Sequence, residues 1–176
     1  ILDEIASVPN RLLYFVDDNI VGYSKEAEQH AMELFEGMIR LGLKKEWFAQ
    51  ASLNIAKKPE LLKIAARSGC KMLLLGIEGE TESSLKDTNK KLNLKLGIHE
   101  YHHAFRTIHQ AGIAVLGAFI YGMDSDTSES LEKRTKYILR SSVDVVQASV
   151  MTPLPGTRLF DRMQKSGRIT CPDFPD

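Results

Sequence analysis

Cysteine is scarce in this chain of 176 residues: Cys70 and Cys171 stand far apart and form no C-x-x-C spacing. That excludes a disulfide framework and a cysteine-built metal knuckle, and the two thiols read as ordinary cytoplasmic ones. Long apolar runs are also missing. None approaches the roughly 20 residues of a membrane span, and the first residues lack a signal-peptide pattern, so no membrane partner is expected. Net charge is absent too, with 23 basic against 23 acidic side chains, which removes any electrostatic case for nucleic acid. The phosphate-binding and nucleophile motifs G-x-x-x-x-G-K-[ST], G-x-G-x-x-G and G-x-S-x-G do not occur. His99 and His103 share one helical face with i, i+4 spacing, but no cysteine or carboxylate is placed to complete a ligand set. They read, with His102 and His109, as helix-surface histidines.

What the chain does have is a set of short apolar runs, each cut off by polar residues or glycine. The clearest is Lys71 to Glu80, K-M-L-L-L-G-I-E-G-E. Met72 to Leu75 show no polar alternation, the pattern of a strand buried on both faces in a helix-covered parallel sheet. Glu78 falls where that strand stops, between Gly76-Ile77 and Gly79, and is read either as a ligand-facing carboxylate or as part of an ordinary strand-to-helix loop.

The rest of the chain repeats this unit. Leu2, Ile5 and Ala6 suggest the end of a helix before Pro9-Asn10. Leu12 to Val16 is a first strand running into Asp17-Asp18-Asn19. Ser24 is placed to cap a helix whose apolar stripe runs from Ala27 to Ile39 and which Gly42 closes. Trp47 to Ile55 alternates, with Ala49, Ala51, Leu53 and Ile55 on one face and Gln50, Ser52 and Asn54 on the other. Helices follow at Pro59 to Ser68, near Glu82 to Lys86, and at His99 to Ala111. A fourth strand is read at Ile113 to Met123, then a helix from Ser128 to Ser141 burying Leu131, Ile138 and Leu139. A fifth strand, Val143 to Thr152, leads through T-P-L-P-G-T to a short helix around Met163 that Gly167 stops. Residues 1–167 thus form one unit and 168–176 a tail. Regular strand–helix alternation with right-handed crossovers leaves an open doubly wound sheet or a barrel, whole or partial.

If the strands are parallel, their carboxyl ends bring Asp17-Asp18-Asn19, Gln50, Ser52 and Asn54, Glu78, Gly122-Met123-Asp124 and Thr152 to Thr157 to one rim. A polar face at Gln50 and Ser52 inside a barrel needs a polar ligand or water, whereas on an edge strand it simply faces solvent. Asp17-Asp18-Asn19 equally suits a turn that starts the next helix.

Taken in order, F-V-D-D-N, G-C-K-M-L-L-L-G-I-E-G, L-K-D-T-N-K-K-L, G-A-F-I-Y-G-M and T-P-L-P-G-T resemble the radical S-adenosylmethionine enzymes, most closely those associated with a cobalamin-binding domain. The resemblance runs from Leu12 to Gly167 and implies a partial TIM-like α/β barrel: five parallel βα units of a six-unit barrel, with the first unit missing. By matching position it implies that Asp17, Asp18 and Asn19 receive the methionyl ammonium. Gln50 and Ser52 would stand at inward positions of the third family strand, and Glu78 near the ribose or methionine end. Lys90 would meet the methionine carboxylate, and Gly122 would let backbone approach the adenosyl group. One departure is Gly79, where the family pattern has serine. A larger one is the lack of the C-x-x-x-C-x-x-C loop that holds a 4Fe-4S cluster.

The resemblance therefore implies a piece of an iron–sulfur enzyme that cleaves S-adenosylmethionine for radical chemistry or methyl transfer, with cobalamin as a further cofactor. The piece alone is expected to be inactive and to need an N-terminal cluster-binding partner unit and a substrate that the sequence does not identify. The exposed Leu12–Val16 edge is expected to dimerise or to be covered by the N-terminal segment. The alternatives from the residues alone are another barrel-like enzyme, a hydrolase or aldolase using Glu78 with a lysine, or a non-catalytic binding module.

Overall fold

The structure, a computed structural model, describes residues 1–170. Cys171 and most of the expected tail lie outside the described residues. Five strands, β1 (Leu12–Phe15), β2 (Glu46–Ala51), β3 (Cys70–Glu78), β4 (Ala114–Tyr121) and β5 (Val145–Val150), form one sheet in sequential order. Every neighbouring pair is parallel, so each crossover carries a helix, as parallel pairing requires. The sheet curls into a half-barrel.

The helices are α1 (Leu2–Ser7), α2 (Lys25–Arg40), α3 (Pro59–Arg67), α4 (Glu82–Asp87), α5 (Lys91–Leu96), α6 (Tyr101–Gln110), α7 (Ser128–Arg140) and α8 (Arg158–Lys165). The Ser24 hydroxyl accepts from the Ala27 N–H and caps α2, as its position predicts. The core lies between the helices and the convex face of the sheet. Trp47, Ala49, Leu73, Leu75, Ile77, Val115 and Phe119 are buried there against Phe35 and Met38 of α2, Leu62 of α3 and Phe105 and Ile108 of α6. Trp47 anchors this layer: its ring stacks on Phe35 at 5.0 Å and meets Phe15 edge-on at 5.4 Å.

Several expectations are corrected. The β2 strand ends at Ala51, and Leu53–Lys57 is a 3-10 helix. Leu53 and Ile55 are nonetheless buried, so the alternation was a true record of burial and a false record of backbone. The β3 strand is covered on one face only, because Met72 and Leu74 are half-buried on the concave side. Leu139 is 79% exposed. The inward stripe of α7 is instead Leu131, Arg134 and Ile138, spaced i, i+3, i+7, and the fully buried member is the arginine. The α1 helix packs on α2, with Ile5 buried and Leu2 against Gly37, and so belongs to the helical layer. At the far end, Arg168 Nη1 donates to Asp124 Oδ1 at 2.7 Å.

Arg134 fastens the upper ends of β3 and β4 together. Its Nε donates to Glu80 Oε2 at 2.8 Å, Nη1 to the Ile120 carbonyl at 2.8 Å and to Asp126 Oδ2 at 3.1 Å, and Nη2 to Ser84 Oγ and Asp126 Oδ1 at 2.8 Å. A guanidinium has five N–H donors, and all are used. Burial works to raise the Asp126 carboxyl, but hydrogen bonds from Arg134 and from the Met123 and Gly122 N–H groups prevail and hold it below the usual carboxylate range.

Removing one partner of a buried pair strands the other charge and costs about 3–5 kcal/mol. Arg134→Ala is therefore expected to lower the unfolding free energy by about that amount in a urea titration. An effect below about 1 kcal/mol would contradict the role given to Arg134. Because the folded-state pKa of Asp126 is depressed, its contribution is complete above the unfolded value of about 4. It is lost as pH falls through the folded value. The wild-type urea midpoint should therefore drop on acidification through that window, and Asp126→Asn should flatten the drop.

Candidate functional site

The carboxyl ends of the strands surround a cavity of about 400 Å³ on the concave face. Sheet register sets the concave face in layers, of which Tyr14, Gln50, Leu74, Gly76, Ala118 and Gln147 line the cavity. Tyr14, Phe48 and Met72 are cross-strand neighbours in the lowest, Gln50, Leu74 and Leu116 in the next, and Gly76, Ala118 and Gln147 nearest the rim. Polarity rises from floor to rim.

Glu78 enters this space through a backbone irregularity. Its φ is +65°, unusual for a residue with a side chain, and the Gly79 N–H bonds the Ile77 carbonyl at 2.8 Å, closing a strained three-residue turn. Register with β4 slips between Gly76 and Glu78, the bulge that re-aims the carboxylate. Asn93 of α5, itself buried, braces the turn by donating to the carbonyls of Gly76 at 2.9 Å and Ile77 at 3.2 Å. Strain of this kind persists only where surrounding contacts enforce it.

Lys90 Nζ meets Glu78 Oε1 at 2.6 Å, the lysine side chain 36% exposed and the glutamate 13%. Gly76 leaves room for the pair: a Cβ there would lie 2.5 Å from Lys90 Nζ and 2.7 Å from Glu78 Oε1. Gly79 has a different reason. A Cβ at that position would come within 2.5 Å of Ser84 Cβ in α4, so the serine of the family pattern has no space here.

Of the residues singled out from sequence, Asp18, Gln50, Ser52, Glu78 and Lys90 line the cavity together. Asp17, Asn19 and Gly122 are not among its lining. Asn19 braces its own turn, accepting from the Val21 N–H and donating to Gly22 O and to Ser52 Oγ at 3.2 Å. The Gly122 N–H is engaged by Asp126 Oδ2 at 2.9 Å, and its φ of +80° explains the glycine. Sequence reasoning missed Tyr14, Tyr23, Gly76, Asn93 and Gln147. Tyr23 shares a 2.9 Å hydrogen bond with Ser52 Oγ, and Gln50 Nε2 donates to the Tyr14 hydroxyl at 3.2 Å. For these residues the sequence offered only the 2-residue spacing of Tyr14 from Val16 and the position of Gly76 beside Glu78.

The chemistry open to this arrangement is recognition of paired charges. A carboxylate and an ammonium side by side, with amide and hydroxyl groups nearby, can each exchange its partner for the opposite charge of a zwitterionic ligand. Hydrolase and aldolase chemistry find less support. Ser52 Oγ contacts Tyr23 and Asn19, not a base, and Lys90 is paired with a carboxylate and not desolvated as a lysine nucleophile would be. Among the described residues no group of three His, Cys, Asp or Glu side chains could hold a metal. Cys70 is buried, which pushes its thiol up to about 12, so the thiolate that an iron–sulfur cluster needs is disfavoured there. The residues present do not fit a cluster.

No family model matches the chain. Curated relatives do. The chain is 34% identical over 170 residues to bacteriochlorophyllide d C-12(1)-methyltransferase of Chlorobaculum tepidum, covering 93% of this chain and 35% of the relative. It is 35% identical to hopanoid C-2 methylase of Rhodopseudomonas palustris, covering 92% of this chain and 30% of the relative. The chain thus spans about a third of the length of these relatives. In structure it resembles the radical S-adenosylmethionine methyltransferase TsrM from Kitasatospora setae, solved with cobalamin and a 4Fe-4S cluster. The TM-score is 0.74 at 17% identity over 97% of this chain and 34% of that one. The cobalamin-dependent S-adenosylmethionine radical enzyme OxsB gives a TM-score of 0.66 at 14% identity, covering 94% of this chain and 24% of that one. At such identities the structural likeness establishes the fold. In fold the chain is part of a barrel of the kind found in radical S-adenosylmethionine enzymes, cobalamin-dependent ones among them.

Proposed function

We propose that this chain is the cofactor-holding part of an enzyme that transfers a methyl group using S-adenosylmethionine. The observation that carries the reading is the Glu78–Lys90 pair, set by a strained turn into the concave cavity. In this proposal Lys90 receives the methionine carboxylate, while Glu78, with Asp18 at the rim, receives the ammonium or the ribose. Gln50 and Ser52 offer the neutral hydrogen bonds. The curated relatives are named for methyl transfer to bacteriochlorophyllide d and to a hopanoid, and another is an anaerobic magnesium-protoporphyrin IX monomethyl ester cyclase. The two methylating relatives, which match over more of the chain and at higher identity than the cyclase, are what supports methyl transfer in this reading. The 4Fe-4S cluster and cobalamin belong, on this reading, to the whole enzyme. Cluster thiolates come from outside these residues, so the chain alone forms no 5′-deoxyadenosine.

Equilibrium dialysis with S-adenosylmethionine tests the site. Weak binding is expected, because the pair lies on a wet rim where such contacts contribute about 0–1 kcal/mol each. Lys90→Ala should reduce it about fivefold, since about 1 kcal/mol corresponds to that factor. Gly76→Ala should reduce it similarly with little change in the urea midpoint, because the new methyl meets only the ends of two flexible side chains. Binding that neither substitution alters would reject the site. Anaerobic reconstitution with iron and sulfide should yield no stoichiometric 4Fe-4S cluster on this chain, and its formation would contradict the division of labour.

A further inference from the structure

Asn54 does not follow Gln50 and Ser52 onto the rim. On a 3-10 helix residues at i and i+3 eclipse, so Leu53–Lys57 stacks Asn54 and Lys57 on one side. That helix packs against α5, where Leu92, Lys95 and Leu96 share a face by their i, i+3, i+4 spacing. These five side chains line a cavity of about 220 Å³. It has no lining residue in common with the rim cavity, although α5 contributes to both. The lining is one-signed, and neither helix contains an acidic residue. Neighbouring lysines are paired, Lys58 with Glu28 and Lys90 with Glu78. No salt bridge among the described residues uses Lys57 or Lys95. Asn54 adds a second, independent feature: its Oδ1 is buried with no hydrogen-bond partner among the described residues. A buried acceptor in that state needs a donor from water or a ligand.

We propose that the cavity between Leu53–Lys57 and α5 binds a small phosphate monoester that carries a hydroxyl group. Lys57 and Lys95 supply two point charges for the phosphate dianion. The hydroxyl of the ester donates to Asn54 Oδ1, and Leu92 and Leu96 line its carbon stem. All five lining residues then have a use, and the orphaned oxygen gains its missing donor. A volume below the roughly 300 Å³ of a drug-sized pocket restricts the ligand to a compact molecule. The inference stands apart from the cofactor reading, since none of its residues belongs to the rim site.

Titration of the isotope-labelled chain with glycerol 3-phosphate, followed by its amide shifts, tests the site, with inorganic phosphate and glycerol as partial ligands. Saturable shifts are expected at Asn54, Lys57, Leu92, Lys95 and Leu96. Glycerol 3-phosphate should bind about fivefold tighter than inorganic phosphate, and glycerol alone should not bind. Lys57→Ala and Lys95→Ala should each weaken both anions about fivefold. Lys57→Gln and Lys95→Gln, which keep most of the stem, replace any alanine variant that melts early. Asn54→Ala should bring the ester down to the affinity of phosphate. It should do so without loss of melting temperature, because the unpaired buried oxygen is removed with it. Lys91→Ala, on α5 but outside the cavity, should leave both affinities unchanged. Equal affinity for phosphate and its ester in the unaltered chain means an adventitious ion only, and overturns the proposal. A loss in Lys91→Ala as large as in Lys95→Ala also overturns it, because that is diffuse attraction to a basic helix. The absence of saturable binding at millimolar concentration does the same.

Discussion

Everything at the rim depends on one buried guanidinium. Arg134 joins Glu80 just past β3, Ser84 in α4, the Ile120 carbonyl at the end of β4 and Asp126 in the following turn. Asp126 in turn accepts from the Gly122 and Met123 N–H groups. Such a cluster is not an efficient source of stability, since desolvating the charges costs about as much as pairing them returns. The cost is visible: Glu80 Oε1 is buried with no partner among the described residues. What the network supplies is a single geometry for two loops that would otherwise move independently. Glu78 lies two residues from Glu80, so the strained turn that aims it is held from above by Arg134 and from below by Asn93.

The site then follows from the sheet. Parallel order places five carboxyl ends side by side, and the half-barrel leaves the concave face open where a closed barrel would fill it with side chains. A polarity gradient results, with Tyr14 low on the cavity wall and Glu78 and Lys90 at the top. Gly76 and Gly79 are small for unlike reasons, one clearing space for an ion pair and the other for the approach of α4.

The architecture was legible in the sequence because strand runs such as Met72 to Leu75 and Ile113 to Met123 are short, apolar and bounded by glycine or acidic residues. So were Asp18, Gln50, Ser52, Glu78 and Lys90 as a converging set, although that grouping came from the resemblance as much as from periodicity. Other features left no such trace. Leu92, Leu94 and Leu96 alternate as a strand would, yet Lys91–Leu96 is a helix whose buried residue is Asn93. Arg134 sits in S-E-S-L-E-K-R-T-K, where charge suggests a solvated face, and only its spacing from Leu131 and Ile138 hints otherwise. Positive φ at Glu78 is invisible to pattern reading, because flanking glycines suggest that they, and not the carboxylate, take the bend.

On the proposed reading, S-adenosylmethionine binds at the concave rim around Glu78 and Lys90. Chemical-shift mapping of the isotope-labelled chain during titration with S-adenosylmethionine tests it most directly. Perturbations are expected to be confined to Asp18, Gln50, Ser52, Gly76 to Glu78 and Lys90, with α8 and the outer face of α7 unmoved. Perturbations centred on α8 or spread over the convex helical layer, with the Gly76 to Glu78 amides unshifted, would contradict it.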